Sequence, residues 1–259
     1  RITWRVDKLL LAILGTPLAV GLFSAAYKFL EAMNPFAVNL TLPLFPVFSR
    51  LARESSVRLF KAYEQSLKFL YAMGIPLAII LFVLSDRIIV LFFGEAYHEA
   101  AAALRLIAPV VILFLPTSLY GYLFIALGHQ RIYMGCVAMS LFTNIILDLL
   151  LIPSYSYIGA AVGTLSAEVI LFFSGLIMLR QLGSPLADLG LIWRPSLAGL
   201  AMGLFCWLVK DKVLTSMVFG VLVGLASYTA LLVILQTFTR EELGLLMDAM
   251  RVRLGRATR

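Results

Sequence analysis

The sequence predicts an all-α fold, a polytopic bundle of transmembrane helices, and three observations carry that prediction. The chain has 259 residues, 62% of them hydrophobic and 14% charged, with a mean hydropathy of +0.99. A soluble domain holds about 45–50% apolar and about 25% charged residues. The apolar residues also gather into runs long enough to cross a bilayer, which takes about 20 residues at 1.5 Å each. Finally, the joints between those runs are short and marked by Gly and Pro, as in 94–99, 128–131 and 153–156.

Taken in order, the first apolar run, Val6 to Gly15, is only half a span. It is expected to be the end of a helix begun upstream, since the chain opens on Arg and no signal peptide precedes the run. The next, from Pro17 to Phe48, is a full span broken by Pro35, Pro43 and Pro46. Six further runs follow: Phe69 to Phe93, Ala103 to Leu127, Ile132 to Ile152, Ile158 to Leu179, Arg194 to Val209 and Val213 to Leu235. The expectation is about seven complete spans plus one truncated span. Residues 1–182 hold the half span and the first five full spans, and 183–259 hold the last two and a basic tail.

Lys and Arg distribute unequally if the spans alternate in direction. One side receives Arg50, Arg53, Arg58, Lys61 and Lys68, then Arg131, Arg180 and Arg194, then the arginines of the tail. The other receives only Arg87, Arg105, Lys210 and Lys212. Cytoplasmic loops carry the excess of positive charge, so the loop after the second helix and the C-terminus are expected in the cytoplasm, with the protein in the cytoplasmic membrane. The net charge of +7 is explained in this way, by topology and anionic headgroups, rather than by nucleic acid. The tail suits an amphipathic helix on the inner leaflet.

The polar residues inside the spans point to transport. Lys28 lies 11 residues after Pro17, roughly 16 Å along its helix and near the bilayer midplane. An ionised lysine there costs about 2.5–3.5 kcal/mol on insertion scales, so it persists where it meets water, a counter-charge or a polar ligand. Glu31 follows one turn later, placed to pair with Lys28. Two readings follow, a local ion pair that neutralises both groups, or a lysine lining a polar cavity that Asn34, Asn39 and the carbonyl freed by Pro35 continue. Arg5, Asp7 and Lys8 stand on the preceding half helix. If the chain turns near Thr16 and Pro17, they approach the depth of Lys28 or else lie at an interface. A cluster of Arg5, Lys8 and Lys28 would favour a pyrophosphate.

Asp148, four residues after Asn144, and Glu168 are candidates for proton or sodium coupling, or for hydrogen bonding between helices. The pairs Gly159/Gly163, Gly199/Gly203 and Gly220/Gly224 have the spacing that lets two helix backbones approach. Cys136 and Cys206 read as small packing residues. No metal site, cofactor motif, phosphate-binding loop or nucleophile elbow is present, and the two histidines, His98 and His129, both fall in loops. An enzyme, such as a membrane transferase acting on lipid-linked sugars, has little to stand on.

The segments GLFSAAYKFLEAMNP and LPLFPVFSRLARE, then SDRIIVLFFGEAYHEAAAALRLIAP, then NIILDLLLIPSYSYIGAAVGTLSAE resemble, in that order, the polysaccharide and lipid-linked oligosaccharide flippases of the multidrug/oligosaccharidyl-lipid/polysaccharide export superfamily. The resemblance covers most of Val6 to Leu182. It implies two six-helix lobes and two extra helices, with this chain holding the C-terminal half and a missing N-terminal lobe completing the cavity. It implies alternating access around a cationic cavity, with Lys28 at a position that related members give to a cavity-facing base. The expected cargo is an anionic polyprenyl-pyrophosphate-linked glycan held by Lys28, Arg5, Lys8, Glu31, Asn34 and Asn39, with Glu168 and Asp148 as possible coupling sites. Two alternatives stay open: a multidrug efflux transporter of the same superfamily, which would favour acidic cavity residues, and a non-transporting subunit of a glycan-synthesis complex.

Overall fold

The computed structural model describes residues 3–184, 190–209, 214–235 and 237, and among these the chain is helical throughout. Among the described residues nine α-helices follow one another: α1 (Thr3–Leu14), α2 (Pro17–Thr41), α3 (Leu44–Glu54), α4 (Ser56–Val83), α5 (Ser85–Phe93), α6 (Ala100–Ala126), α7 (Gln130–Gln181), α8 (Gly190–Val209) and α9 (Leu214–Ile234). The tail arginines lie outside the described residues.

Local chemistry sets most of the boundaries. Between α1 and α2 the chain turns at Gly15 and Thr16. The Thr16 hydroxyl accepts from the Ala19 N–H at 3.2 Å, and Pro17 supplies a first-turn residue whose missing N–H costs nothing there. The run read from the sequence as Pro17 to Phe48 is two helices. Proline cannot donate to the helical ladder, so with Pro43 and Pro46 close together α2 ends at Thr41 and α3 starts afresh. Pro35, by contrast, is carried within α2. Phe48 is fully buried while Arg50 and Arg53 are exposed, which makes α3 an amphipathic element.

The run Phe69 to Phe93 is likewise divided, at Leu84. Arg105 of α6 holds the start of α5, donating from Nε to the Ser85 hydroxyl at 2.8 Å and pairing with Asp86. Gly94 and Gly128, with φ of 85° and 77°, then close α5 and α6 in a conformation that L side chains disfavour.

In α7 the joint expected at Pro153 to Ser156 is a reversal. Ser156 takes φ 52° and ψ −132°, and the two arms on either side fold back as an antiparallel hairpin. Ser140 Oγ donates to the Ala167 carbonyl at 2.7 Å, which fixes the register of the arms. Glycine makes the approach possible: a Cβ on Gly159 would sit 2.6 Å from the Leu151 carbonyl carbon.

The bundle is built around α6. Of its most apolar stretch 67% is buried, against 28% for α7, and α6 packs on α2, α3, α4, α5 and α7. Leu104, Ile107, Val111, Leu115, Leu119 and Leu123 are completely buried along its length. Farther out, α8 leans on α4 through Gly199 and Gly203, which face Ile75 and Ile79. The Tyr228 hydroxyl of α9 donates to the Ala72 carbonyl of α4 at 2.9 Å. Gly224 lies against Cys206 and Met202, so that cysteine is a packing residue, as expected.

Length and apolarity together qualify α4, α6 and α7 to cross a membrane, and α7 folds into two arms. Shorter apolar stretches occupy Ile192–Leu208 and Gly220–Ile234. Despite its 25 residues, α2 is outside this set, because Lys28, Glu31, Asn34 and Pro35 dilute its apolar character. Its polar residues therefore decide what it faces.

Candidate functional site

Along α2 the exposed positions recur with helical spacing. Lys28, Ala32, Pro35 and Asn39 are exposed and form one stripe, while Phe23, Ala26, Tyr27 and Leu30 are buried on the inner side. Among the described residues no carboxylate stands within ion-pair distance of Lys28. Asn39 shares its stripe, about three turns on. Asn34 is half-buried and lies about a third of a turn around the helix, so it does not join them.

Glu31 does not pair with Lys28. Its Oε1 accepts from Lys8 Nζ of α1 at 2.6 Å, and the Lys8 ammonium also lies 5.1 Å from the centre of the Tyr27 ring. The reason is geometric. The turn at Gly15 and Thr16 brings α1 back alongside α2, which places Lys8 opposite Glu31, about 60° around the helix from Lys28. Lys8 thus offers no free charge to an anion. Arg5 lies in α1, but its side chain is outside the described residues.

A second constellation gathers on the other side of α1. Asp7 is 2% exposed and its Oδ2 accepts from the Thr164 hydroxyl at 2.9 Å. Across the contact with α7 it faces Asn144 and Asp148, which are 1% and 0% exposed. Asp7 Oδ1, both Asp148 oxygens and both polar atoms of the Asn144 amide have no hydrogen-bond partner among the described residues. Native interiors rarely leave so many polar atoms unanswered in one place. The donor set is two carboxylates, an amide and a hydroxyl, the oxygen-rich chemistry of a hard cation. No trio of His, Cys, Asp or Glu converges among the described residues.

Glu168 stands apart from both groups. It is buried and accepts from the Thr117 hydroxyl, so it ties the second arm of α7 to α6. The Tyr120 hydroxyl, one turn along, reaches the Phe172 carbonyl at 3.3 Å.

With this geometry in place, comparison with known proteins is decisive for the family. The description "Lipid II flippase MurJ" matches residues 12–234, most of the chain. The chain belongs to that family. MurJ proteins are flippases, membrane transporters rather than enzymes. A solved structure of the lipid II flippase MurJ in an inward closed conformation superposes with a TM-score of 0.75 at 19% identity, over 91% of this chain and 51% of that one. At that identity the likeness establishes the fold. An uncharacterized membrane protein of Methanocaldococcus jannaschii is 27% identical over 162 residues, covering 61% of this chain and 32% of the relative. The chain therefore spans about half the length of the solved MurJ structure and a third of the archaeal relative.

Asp148 and Asn144 stood out in the sequence through their spacing of four, whereas Asp7 was grouped with the bases beside it. Consecutive helix residues point about 100° apart, and here Asp7 turns to α7 while Lys8 turns to α2. Thr164 was missed altogether. The one signal for it was Gly163 beside it, whose Cβ would collide with the Asp148 carboxylate and sit 3.3 Å from the Asn144 amide nitrogen. Replacing Gly163 with Ala should force the arms of α7 apart and lower the thermal unfolding midpoint in detergent. Gly135→Ala, with nothing within 4 Å of the new methyl, should leave it unchanged or raise it. Equal midpoints for the two variants would contradict the packing described.

Proposed function

We propose that this chain works in a flippase that carries a polyprenyl-pyrophosphate-linked glycan from the cytoplasmic to the outer leaflet of the cytoplasmic membrane by alternating access. On this reading residues 1–182 are a C-terminal transporter lobe, the C-terminus is cytoplasmic, and a further lobe supplies the opposite wall of the cavity. One observation carries the reading: Lys28 stands exposed and without a counter-charge among the described residues, at the start of the exposed stripe of α2 that ends at Asn39, while the neighbouring base, Lys8, is already neutralised. A cation in that setting recognises an anionic headgroup. An efflux pump for organic cations would want an acid on that stripe.

The Asp7, Asn144, Asp148 and Thr164 constellation supports a coupling role. Two carboxylates facing each other in a dry interior need a proton or a monovalent cation between them, and filling that place would draw α1 toward α7. Glu168, hydrogen-bonded between helices, is the weaker coupling candidate.

Flipping of a fluorescent polyprenyl-pyrophosphate disaccharide in proteoliposomes tests both roles. Lys28→Ala should reduce the rate by about two orders of magnitude, with Lys28→Arg retaining much of it, and membrane insertion should be normal. Full activity in Lys28→Ala would overturn the assignment. Asp148→Asn should abolish the dependence of the rate on an imposed sodium or proton gradient while leaving binding of the lipid, and an unchanged gradient dependence would remove Asp148 from coupling.

A further inference from the structure

The Lys8–Glu31 pair joins α1 to α2 just one turn from Lys28, and its chemistry bears on how tightly an anion is held there. Both side chains are only partly covered, at 28% and 36% exposure, so the pair lies at the surface of the bundle rather than in its apolar interior. Lys8 is fixed twice, by the carboxylate at 2.6 Å and by the Tyr27 ring at 5.1 Å. Glu31 is the acid of α2, three residues from Lys28, where side chains at that spacing lie roughly 5–6 Å apart at Cβ. It can therefore reach either base by a change of rotamer, and in this structure it holds Lys8.

We propose that Glu31 is a positioning residue that sets the charge of the anion site: by holding Lys8 it leaves one net positive charge among Lys8, Lys28 and Glu31, enough to bind a pyrophosphate and little enough to let it go. The inference rests on the flippase reading and adds to it a determinant of release. A site that must load on one side of the membrane and unload on the other works only when binding is favourable but not deep. Two unpaired ammonium groups, one on α1 and one on α2, would hold a pyrophosphate much more tightly than one. With the carboxylate present, Lys8 is kept from the cargo when the site is loaded, and the carboxylate stands one turn from Lys28 when the cargo leaves.

The experiment uses the natural full-length protein, with farnesyl pyrophosphate as the binding probe and the fluorescent polyprenyl-pyrophosphate disaccharide as the transport substrate. Glu31→Gln frees Lys8 and should tighten farnesyl pyrophosphate binding about tenfold, lowering KM and kcat together. Lys8→Gln leaves Glu31 unmatched beside Lys28 and should weaken binding about tenfold, raising KM. The double variant Lys8→Gln/Glu31→Gln restores one net charge and should return both constants close to the starting values. A purely structural ion pair would behave otherwise: both single variants would weaken binding, and the double variant would not recover. Either that pattern or an unchanged affinity in Glu31→Gln overturns the inference. Lys28→Gln keeps the two failures apart, because loss of binding there upholds the flippase reading whatever Glu31 does, and undiminished binding there removes the reading on which the inference rests.

Discussion

Hydrocarbon offers a polar side chain no water, so hydroxyls and charges carried into the bundle seek partners, and where the partner stands on another helix it selects which helices touch. The consequence is clearest at α1. Its consecutive residues Asp7 and Lys8 are met on different sides, by Thr164 of α7 and by Glu31 of α2. A short helix is thereby locked between two long ones. The same rule joins α6 to α7 through Thr117 and Glu168, the arms of α7 through Ser140, and α9 to α4 through Tyr228. Interhelical hydrogen bonds in membranes average only about 0.6 kcal/mol each, so their effect is to select partners more than to supply stability. The close approach of helices at Gly159, Gly163, Gly199 and Gly203, to backbone at the first and to side chains at the others, supplies the packing that lipid does not oppose.

Much of the fold was legible because membrane helices announce themselves by length and apolarity. The spans at 103–127, 132–152 and 158–179 coincide with α6 and the arms of α7, and the turn at 153–156 fell where Pro153 and Ser156 place it. Boundaries governed by proline were harder. Pro35 is absorbed within α2, whereas Pro43 and Pro46, close together, end one helix and begin another. A single sequence does not distinguish a kink from a stop, since the difference lies in whether neighbouring helices re-satisfy the freed carbonyls.

The candidate site was legible in its residue types and not in its pairings. Lys28 stood out because a lysine in an apolar helix is costly wherever it goes. Glu31 was assigned to the nearest base in sequence, and the nearest in space proved to be Lys8, which the turn at Gly15 and Thr16 brings alongside. The acidic constellation depends on a hairpin that juxtaposes positions 148 and 163 and on a third helix, none of which spacing along one helix reveals. What results is a helix, α1, that presents an acid to a cluster of orphaned oxygens and a base to the helix that carries Lys28. If cation and cargo are exchanged at these two places, α1 is the element both would move.

The central claim is that Lys28 faces water within the membrane and receives an anionic cargo. It is tested most directly by the reactivity of Ala32→Cys, on the exposed stripe one turn from an intact Lys28, toward a charged, membrane-impermeant thiol reagent, with Cys136 and Cys206 replaced by Ala and Leu30→Cys as the buried control. The expected result is rapid modification of the thiol at position 32, slowed by farnesyl pyrophosphate only while Lys28 is present, with the thiol at position 30 unmodified. Equal inertness at the two positions, or labelling at position 32 untouched by the pyrophosphate with Lys28 in place, would contradict the claim.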